Sequence, residues 1–383
     1  RDLVRSRGLG DVYKRQVEDN NWVFEEKEEK DYSVEISSFD RVKPVGVSGL
    51  LRIKNDADFV AESIDSCIEA LDELVITYQD SVDNTLDIIL QKKKQYPDKI
   101  RIYYYKPKIL SHELSDADYE LATSYSMDSV HLLANYYNYT LSKAQYRYAM
   151  KIDADQIYFT DKLKAFCDLY RCKEKVAISL SEDISYQYYF FLIRLFAKLP
   201  FLFNRFVAPL FFPEKLMTIV ERYTKKKIQN DKVISSFSGL NIFKSTRIGV
   251  AAGTYDNGVQ PPINGSGDHL IFPISGKTYY QPLYEKDLNR IVEIMRSFEK
   301  IYWGGFLWFH LHAMRKNYRK ERYELYCKNM IEFNELLNTN FLSLEKKYGF
   351  IISGFMRPVI YSFLIADTVS YTHLRAHETV LDL

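Results

Sequence analysis

Asp153 and Asp155 close the hydrophobic run YRYAMKIDADQIYF (146–159). If the strand expected there continues through them, period-two alternation places both carboxylates on one side. Two such groups repel unless a cation or a shared proton lies between them. A hard divalent ion, Mg²⁺ or Mn²⁺, would supply that cation and keep positions open for phosphate oxygens. The plainer reading is a strand ending in a solvated acidic turn. A further carboxylate, Asp268, follows Asn264-Gly265-Ser266-Gly267 and directly precedes His269 and the apolar LIFPI. Reached through glycines, it can approach a substrate closely; its plainer reading is a turn aspartate. His310 and His312 in WGGFLWFHLHAMR are two residues apart. On a strand they share a face and on a helix they do not, so spacing alone assigns neither.

The elements that must position these residues alternate in type. A buried strand is expected over 45–54 (VGVSGLLRIK), then a helix with apolar positions Phe59, Val60, Ile64, Ile68 and Leu71. Asn55, Asp56 or Asp58 could cap that helix by accepting its first backbone N–H groups. A strand over 74–78, a helix over 85–96 and a strand over 100–105 follow. Strands separated by helices at short loop spacing predict a parallel sheet covered on both faces, with ligands at its carboxyl edge. Asp80, Asp83 and Asn84 fall in the second loop of that edge. They read either as turn and cap residues or as contacts to the base or ribose of a nucleotide. Further along, helices are expected over 129–141, 160–170 and 287–298, and strands over 176–180 and 233–243, the last carrying Gly239 and Asn241.

Composition narrows the class. The 52 Lys+Arg and 51 Asp+Glu leave no global field that would steer the chain to nucleic acid. Cys67, Cys167, Cys172 and Cys327 form no C-x-x-C pair and no secretory leader is recognisable, which predicts a reducing, cytoplasmic compartment. Residues 1–16 and 369–383 read as translated adaptor sequence and are set apart from the fold, together with His373 and His377.

Residues 186–213 stand out among 31 Tyr and 24 Phe: YQYYFFLIRLFAKLPFLFNRFVAPLFFP is nearly continuous in apolar and aromatic side chains, broken by Arg194, Lys198, Arg205, Pro200 and Pro209. Internal charges disfavour a spanning helix. They suit a segment lying in the interface, where basic residues snorkel and rings sit at headgroup depth. A buried helix pair is the competing reading. The basic stretch 221–232, with Lys225, Lys226 and Lys227, would either meet anionic headgroups or form a solvated loop.

Taken in order, VGVSGLLRIKND, ELVITYQDSVDNT, NYTLSKAQYRYAMKIDADQIYF, FSGLNIF, NGSGDHLIF and FLWFHLHAMRK resemble the family 2-like bacterial glycosyltransferases of the GT-A fold, over roughly residues 44–316. KIDADQIYF carries most of that resemblance. It implies an α/β fold with a mixed, mostly parallel sheet flanked by helices, an aromatic-rich helical insertion and a helical C-terminal region. The implied division is a nucleotide-binding half (44–180), an insertion (186–232), an acceptor half (233–316) and an extension (317–368). By resemblance, Asp153 takes the ribose side of a nucleotide-diphospho-sugar, such as a UDP-sugar, and Asp155 takes Mn²⁺ or Mg²⁺. Asp268 is then the general base of an inverting transfer and Asp80 the base-binding residue. His310 or His312 could be a further metal ligand or a diphosphate contact, and His310 is preferred because it begins the H-L-H stretch nearest the aromatic cluster 303–309. The acceptor would be a saccharide or lipid-linked saccharide of a capsule, lipooligosaccharide or O-antigen, at the cytoplasmic face of the inner membrane.

Two departures from the family pattern stand out. Tyr78-Gln79 replaces the acidic pair after the second strand, and Gly267 replaces the glutamate before Asp268. A sugar-nucleotide pyrophosphorylase would show an early glycine-rich loop with a basic residue, which this sequence lacks. A non-catalytic membrane-peripheral binding protein would keep the aromatic segment and bind no nucleotide.

Overall fold

The computed structural model describes residues 28–197, 211, 213–244, 248–251, 263–264, 270–297, 300–316 and 330–332. Both expected adaptor segments, Asp268 with its glycine loop, most of the aromatic segment beyond residue 197, and the C-terminal extension apart from 330–332 lie outside the described residues.

The first half follows the expected alternation: β1 (Val47–Ile53), α1 (Val60–Cys67), β2 (Glu73–Tyr78), α2 (Thr85–Gln95), β3 (Ile100–Tyr104), α3 (Asp116–Ser124), α4 (Leu133–Ser142) and β4 (Tyr148–Ile152). β1 pairs in parallel with β2 on one side and β4 on the other, Ile53 standing opposite Tyr78 and Leu51 opposite Ile152; β3 adds in parallel to β2. Alternation along each strand sorts the core into two layers. Leu51, Ile53, Ile76, Tyr78, Met150 and Ile152 pack with Ile64 and Cys67 of α1. Leu50, Val75 and Ala149 face the other way, against Ala134, Tyr137 and Leu141 of α4. Covered on both faces, these strands read as continuous apolar runs, as parallel sheets do.

The second half comprises β5 (Gln156–Tyr158), α5 (Thr160–Arg171), α6 (Leu180–Ala197), α7 (Glu214–Asp231), β6 (Ile234–Lys244), β7 (Ile248–Ala251), β8 (Ile263–Asn264), β9 (Leu270–Pro273), β10 (Tyr279–Glu285), β11 (Arg290–Arg296), β12 (Ile301–His310) and β13 (Met330–Glu332). Among the described residues the main sheet has 11 strands, in the order β13-β7-β6-β9-β4-β1-β2-β3, with β12 and β8 also on β6, and β5 on β12. β9 runs antiparallel to both β4 and β6, and β12 runs parallel to β6 but antiparallel to β5. The protein is therefore an α/β fold with a mixed, partly parallel sheet flanked by helices.

Several local expectations are corrected. Residues 287–298 were expected as an amphipathic helix; instead 286–288 form a short 3₁₀ turn and 290–296 form β11, which hairpins antiparallel with β10, Tyr284 opposite Ile291. Asn289, with φ 43°, turns the chain between the two strands, and the β-branched Ile291, Val292 and Ile294 suit the strand that follows. Residues 176–180 hold no strand. The side-chain amide of Asn230 on α7 instead bonds both backbone groups of Val176, each at 2.8 Å, and α6 starts at Leu180. Asn55, Asp56 and Asp58 do not cap α1: Phe59 stands at its cap position without a side-chain bond. Asn55, at φ 56°, turns the chain and accepts from Val82 N at 2.8 Å, lacing the first two carboxyl-edge loops together. The basic stretch 221–232 belongs to α7 rather than to a loop.

α6 packs on α7 through Tyr186, which stacks on Tyr223 at 4.3 Å, and through Glu182, whose carboxylate lies 2.8 Å from Lys226 Nζ. Tyr189, Leu192 and Ile193 are buried, whereas Leu180, Ile184, Tyr188, Phe191 and Leu195, spaced by three and four residues, form an exposed apolar stripe. Among the described residues no helix is long and apolar enough to cross a membrane.

Candidate metal centre

The parallel strands β1, β2 and β4 end at one edge, and the candidate site is built on the loops they feed. β4 ends at Ile152, so the chain does not continue as a strand through Asp153 and Asp155; it turns and re-enters a strand at Gln156. Four side chains hold this turn. Ser63 Oγ donates to Asp153 O at 2.8 Å, and Tyr158 OH accepts from Asp153 N at 3.2 Å. Tyr158 in turn donates to Gln156 Oε1, and Gln156 Nε2 donates to Asp153 Oδ2 at 3.3 Å. Arg52, the one charged residue of β1, puts Nη2 3.8 Å from Asp153 Oδ1 and stacks its guanidinium 3.7 Å above the Tyr137 ring. Thus the two aspartates part company: Asp153 faces Arg52 and Gln156, while Asp155 points to β12.

β12 brings the histidines to Asp155. In the β5–β12 ladder, His310 stands opposite Gln156, and Leu311 N donates to Asp155 O at 2.7 Å. The strand ends at His310, and a short 3₁₀ turn, His312–Met314, follows. Because the chain leaves the strand there, neither the strand rule nor the helix rule for i, i+2 pairs applies. The two imidazoles nonetheless lie nearly parallel, 9° apart in plane and 5.7 Å between centroids. His310 Nε2 lies 3.6 Å from Asp155 Oδ1, and His312 Nδ1 lies 3.2 Å from Asp155 Oδ2. The other nitrogen of His310, Nδ1, lies 2.7 Å from Asn241 Oδ1 on β6. A partner of that kind fixes the ring's orientation and tautomer.

Asp155, His310 and His312 offer ligand atoms all within 4.8 Å of one another. One carboxylate and two imidazoles form a mixed oxygen and nitrogen donor set. It suits Mn²⁺ better than Mg²⁺, which prefers oxygen throughout. Burial alone would raise the Asp155 carboxyl. The hydrogen bond from His312 and the charges of His310 and Arg315 reverse that and hold it down to about 2. The oxygen donor is therefore ionised at neutral pH.

The other expected residues are placed as follows. Asp80, at the exposed end of β2, accepts from Tyr104 OH at 2.8 Å. Asp83 accepts from Thr85 N and from Ala57 N, both at 3.1 Å, which is turn and loop-tying chemistry. Residues with no role at the site expected from the sequence also enter: Arg52, Asn241, Gln156, Asp56 and Arg315. Arg52 carried a signal, being a lone charge inside an apolar strand, whereas Asp56 and Arg315 meet only through the fold.

Residues 15–197, a little under half of the chain, match the family model described as Beta-1,4-N-acetylgalactosaminyltransferase (CgtA). The match includes Asp153 and Asp155 and ends before β12. Comparison with curated proteins finds no match. Among solved structures, S. aureus TarS 1–349 in complex with UDP is similar at 17% identity and TM-score 0.22, over 32% of each chain. Glucosyl-3-phosphoglycerate synthase from Mycobacterium tuberculosis, in complex with Mn²⁺, UDP and phosphoglyceric acid, is similar at 15% identity and TM-score 0.20, over 32% of this chain and 37% of that one. S. aureus TarS 1–349 without UDP is similar at 12% identity and TM-score 0.29, over 85% of this chain and 74% of that one. The chain thus spans about a third of the length of the first structures it matches.

Proposed function

We propose that this protein is a metal-dependent, inverting glycosyltransferase of the GT-A type. It moves a hexose or N-acetylhexosamine from a nucleotide-diphospho-sugar to a saccharide or lipid-linked acceptor in surface polysaccharide assembly. The observation that carries the reading is the Asp155–His310–His312 group, set where the parallel strands end. The family match over 15–197 supports the same class.

In this reading Asp155, His310 and His312 hold Mn²⁺, and Asn241 keeps His310 in register. The bound ion supplies charge neutralisation for the departing diphosphate, the kind of term that usually contributes most in such displacements. Asp153 takes the ribose side and Asp80 the base, both on loops that close the same sheet edge. Asp268 accepts the proton of the attacking hydroxyl, so that one displacement inverts the anomeric carbon. Its position in the chain supports this role: β9 begins at Leu270 and runs antiparallel to β4, so the chain enters β9 from the edge where β4 ends.

A lipid-linked acceptor agrees with the apolar stripe on α6. We assign that stripe, with the following residues up to 213, to contact with the surface of the membrane, in keeping with amphipathic segments that lie in the interface. The test is release of nucleoside diphosphate from a panel of nucleotide-sugars by the purified protein, with Mn²⁺ and with EDTA. Release from one donor that EDTA abolishes is expected; release from none, across donors and acceptors, overturns the assignment.

A further inference from the structure

Arg315 holds two carboxylates that belong to different loops. Its Nη2 lies 2.9 Å from Asp155 Oδ2 and 2.8 Å from Asp56 Oδ1, and its Nε lies 3.2 Å from the same Asp155 oxygen. Asp155 is 8% exposed and Asp56 12%. The next residue fixes the backbone at this point: Lys316 N donates to Asp58 Oδ2 at 3.0 Å, and Lys316 Nζ lies 3.5 Å from Asp58 Oδ1. The guanidinium is therefore anchored at its root and divided at its tip between the metal-centre aspartate and a carboxylate outside the centre.

Asp155 Oδ2 is also the oxygen nearest His312 Nδ1. A cation bound between Asp155 Oδ2 and His312 would meet the oxygen that the guanidinium already occupies. Two positive groups on one buried carboxylate oxygen repel each other strongly, since the site screens them poorly. We propose that Arg315 is a resident cation of this centre: it neutralises Asp155 when no metal is present and passes to Asp56 when a divalent ion enters. The inference rests on the metal-centre reading above and adds to it a competitor for the same carboxylate and a second anchor for that competitor. Asp56 suits the second role. It lies partly buried beside Arg315, and its carboxyl is pushed up by burial with the Arg315 charge as the main opposing influence. A carboxylate so placed gains from taking the whole guanidinium.

The test is Mn²⁺ binding without nucleotide, read as free Mn²⁺ by electron paramagnetic resonance, on the full chain and its variants. Arg315→Gln removes the competitor and should bind Mn²⁺ roughly tenfold more tightly, the worth of one charge-assisted contact. Asp56→Asn removes the second anchor, leaves Arg315 to Asp155 alone, and should bind more weakly. Lys316→Gln removes a neighbouring cation that does not touch Asp155 and should change little. Opposite shifts in the first two variants are not what a folding defect produces. Wild-type binding with no gain in Arg315→Gln, or an equal gain in Lys316→Gln, overturns the resident-cation role and leaves the metal centre standing. Absence of Mn²⁺ binding in both wild type and Arg315→Gln overturns the metal centre and this role together.

Discussion

Gly239 on β6 lies directly against the indole of Trp308 on β12: a methyl group at Gly239 would come within 2.0 Å of Trp308 Nε1. The two residues are register partners, and Trp308 is completely buried, stacked at a tilt against Tyr158. The ring has no room to retreat, so the absence of a side chain at residue 239 sets how closely β12 approaches β6. Two residues further along the same pair of strands, His310 meets Asn241. Gly239→Ala should therefore displace β12 and cost about 1–3 kcal/mol, the usual scale of overpacking. Chemical denaturation measures that loss, and a parallel loss of Mn²⁺ affinity would show that the displacement reaches the histidines.

Asp155→Asn keeps the shape of the side chain and removes its charge. Loss of a contact that stabilises the leaving diphosphate should lower turnover about a hundredfold, equivalent to about 3 kcal/mol. Steady-state release of nucleoside diphosphate reads the effect. Undiminished turnover in the variant, or in wild type stripped with EDTA, would remove the metal from the reaction.

Asp268→Asn should suppress transfer and leave donor affinity nearly unchanged, because the carboxylate is assigned to the acceptor hydroxyl and acts in the transition state. Donor binding by calorimetry and transfer by product formation separate the two effects. The anomeric configuration of the product is an independent check: retention of the donor's configuration would exclude a single displacement.

Ile184 and Phe191 are exposed on α6 while its opposite face packs on α7. Their joint replacement by serine should leave the fold intact and reduce sedimentation with anionic vesicles at low salt, each large side chain being worth about 1.5 kcal/mol of transfer. Activity on a lipid-linked acceptor should fall more than activity on a short soluble saccharide. Wild-type protein that stays in the supernatant would assign the stripe to something other than lipid.

Much of the first half was legible because local pattern and tertiary role agree there. The runs at β1 and β2 are largely apolar since the sheet there is buried on both faces, and the helices between the strands repeat at helical spacing. The misreadings arise where a distant partner decides the matter. Around β11, Leu288, Ile291, Val292 and Met295 sit at helical spacing, yet cross-strand pairing with β10 and the Asn289 turn fix a strand over 290–296. Val176 lacks a strand partner because one asparagine side chain satisfies its backbone. At the site, spacing singled out Asp155 and the two histidines but could not join them, since the bend after His310 lies outside both regular periodicities. Arg315 and Asp56 were beyond reach for the same reason: each is unremarkable in its own segment, and only the approach of the chain after β12 to the loop before α1 makes them a pair.

The ladder between β5 and β12 has a consequence for how the candidate metal centre is assembled. Asp155 lies in the turn that follows the early parallel strands, but its imidazole partners lie about two-fifths of the chain further on, on a strand that docks between β5 and β6. Contacts of such high sequence separation close slowly, because the intervening chain must be ordered first. The centre is therefore a late product of folding. If the centre holds an ion as proposed, its affinity would report on the docking of β12, and a nascent chain that ends before this strand carries the carboxylate without the two imidazoles.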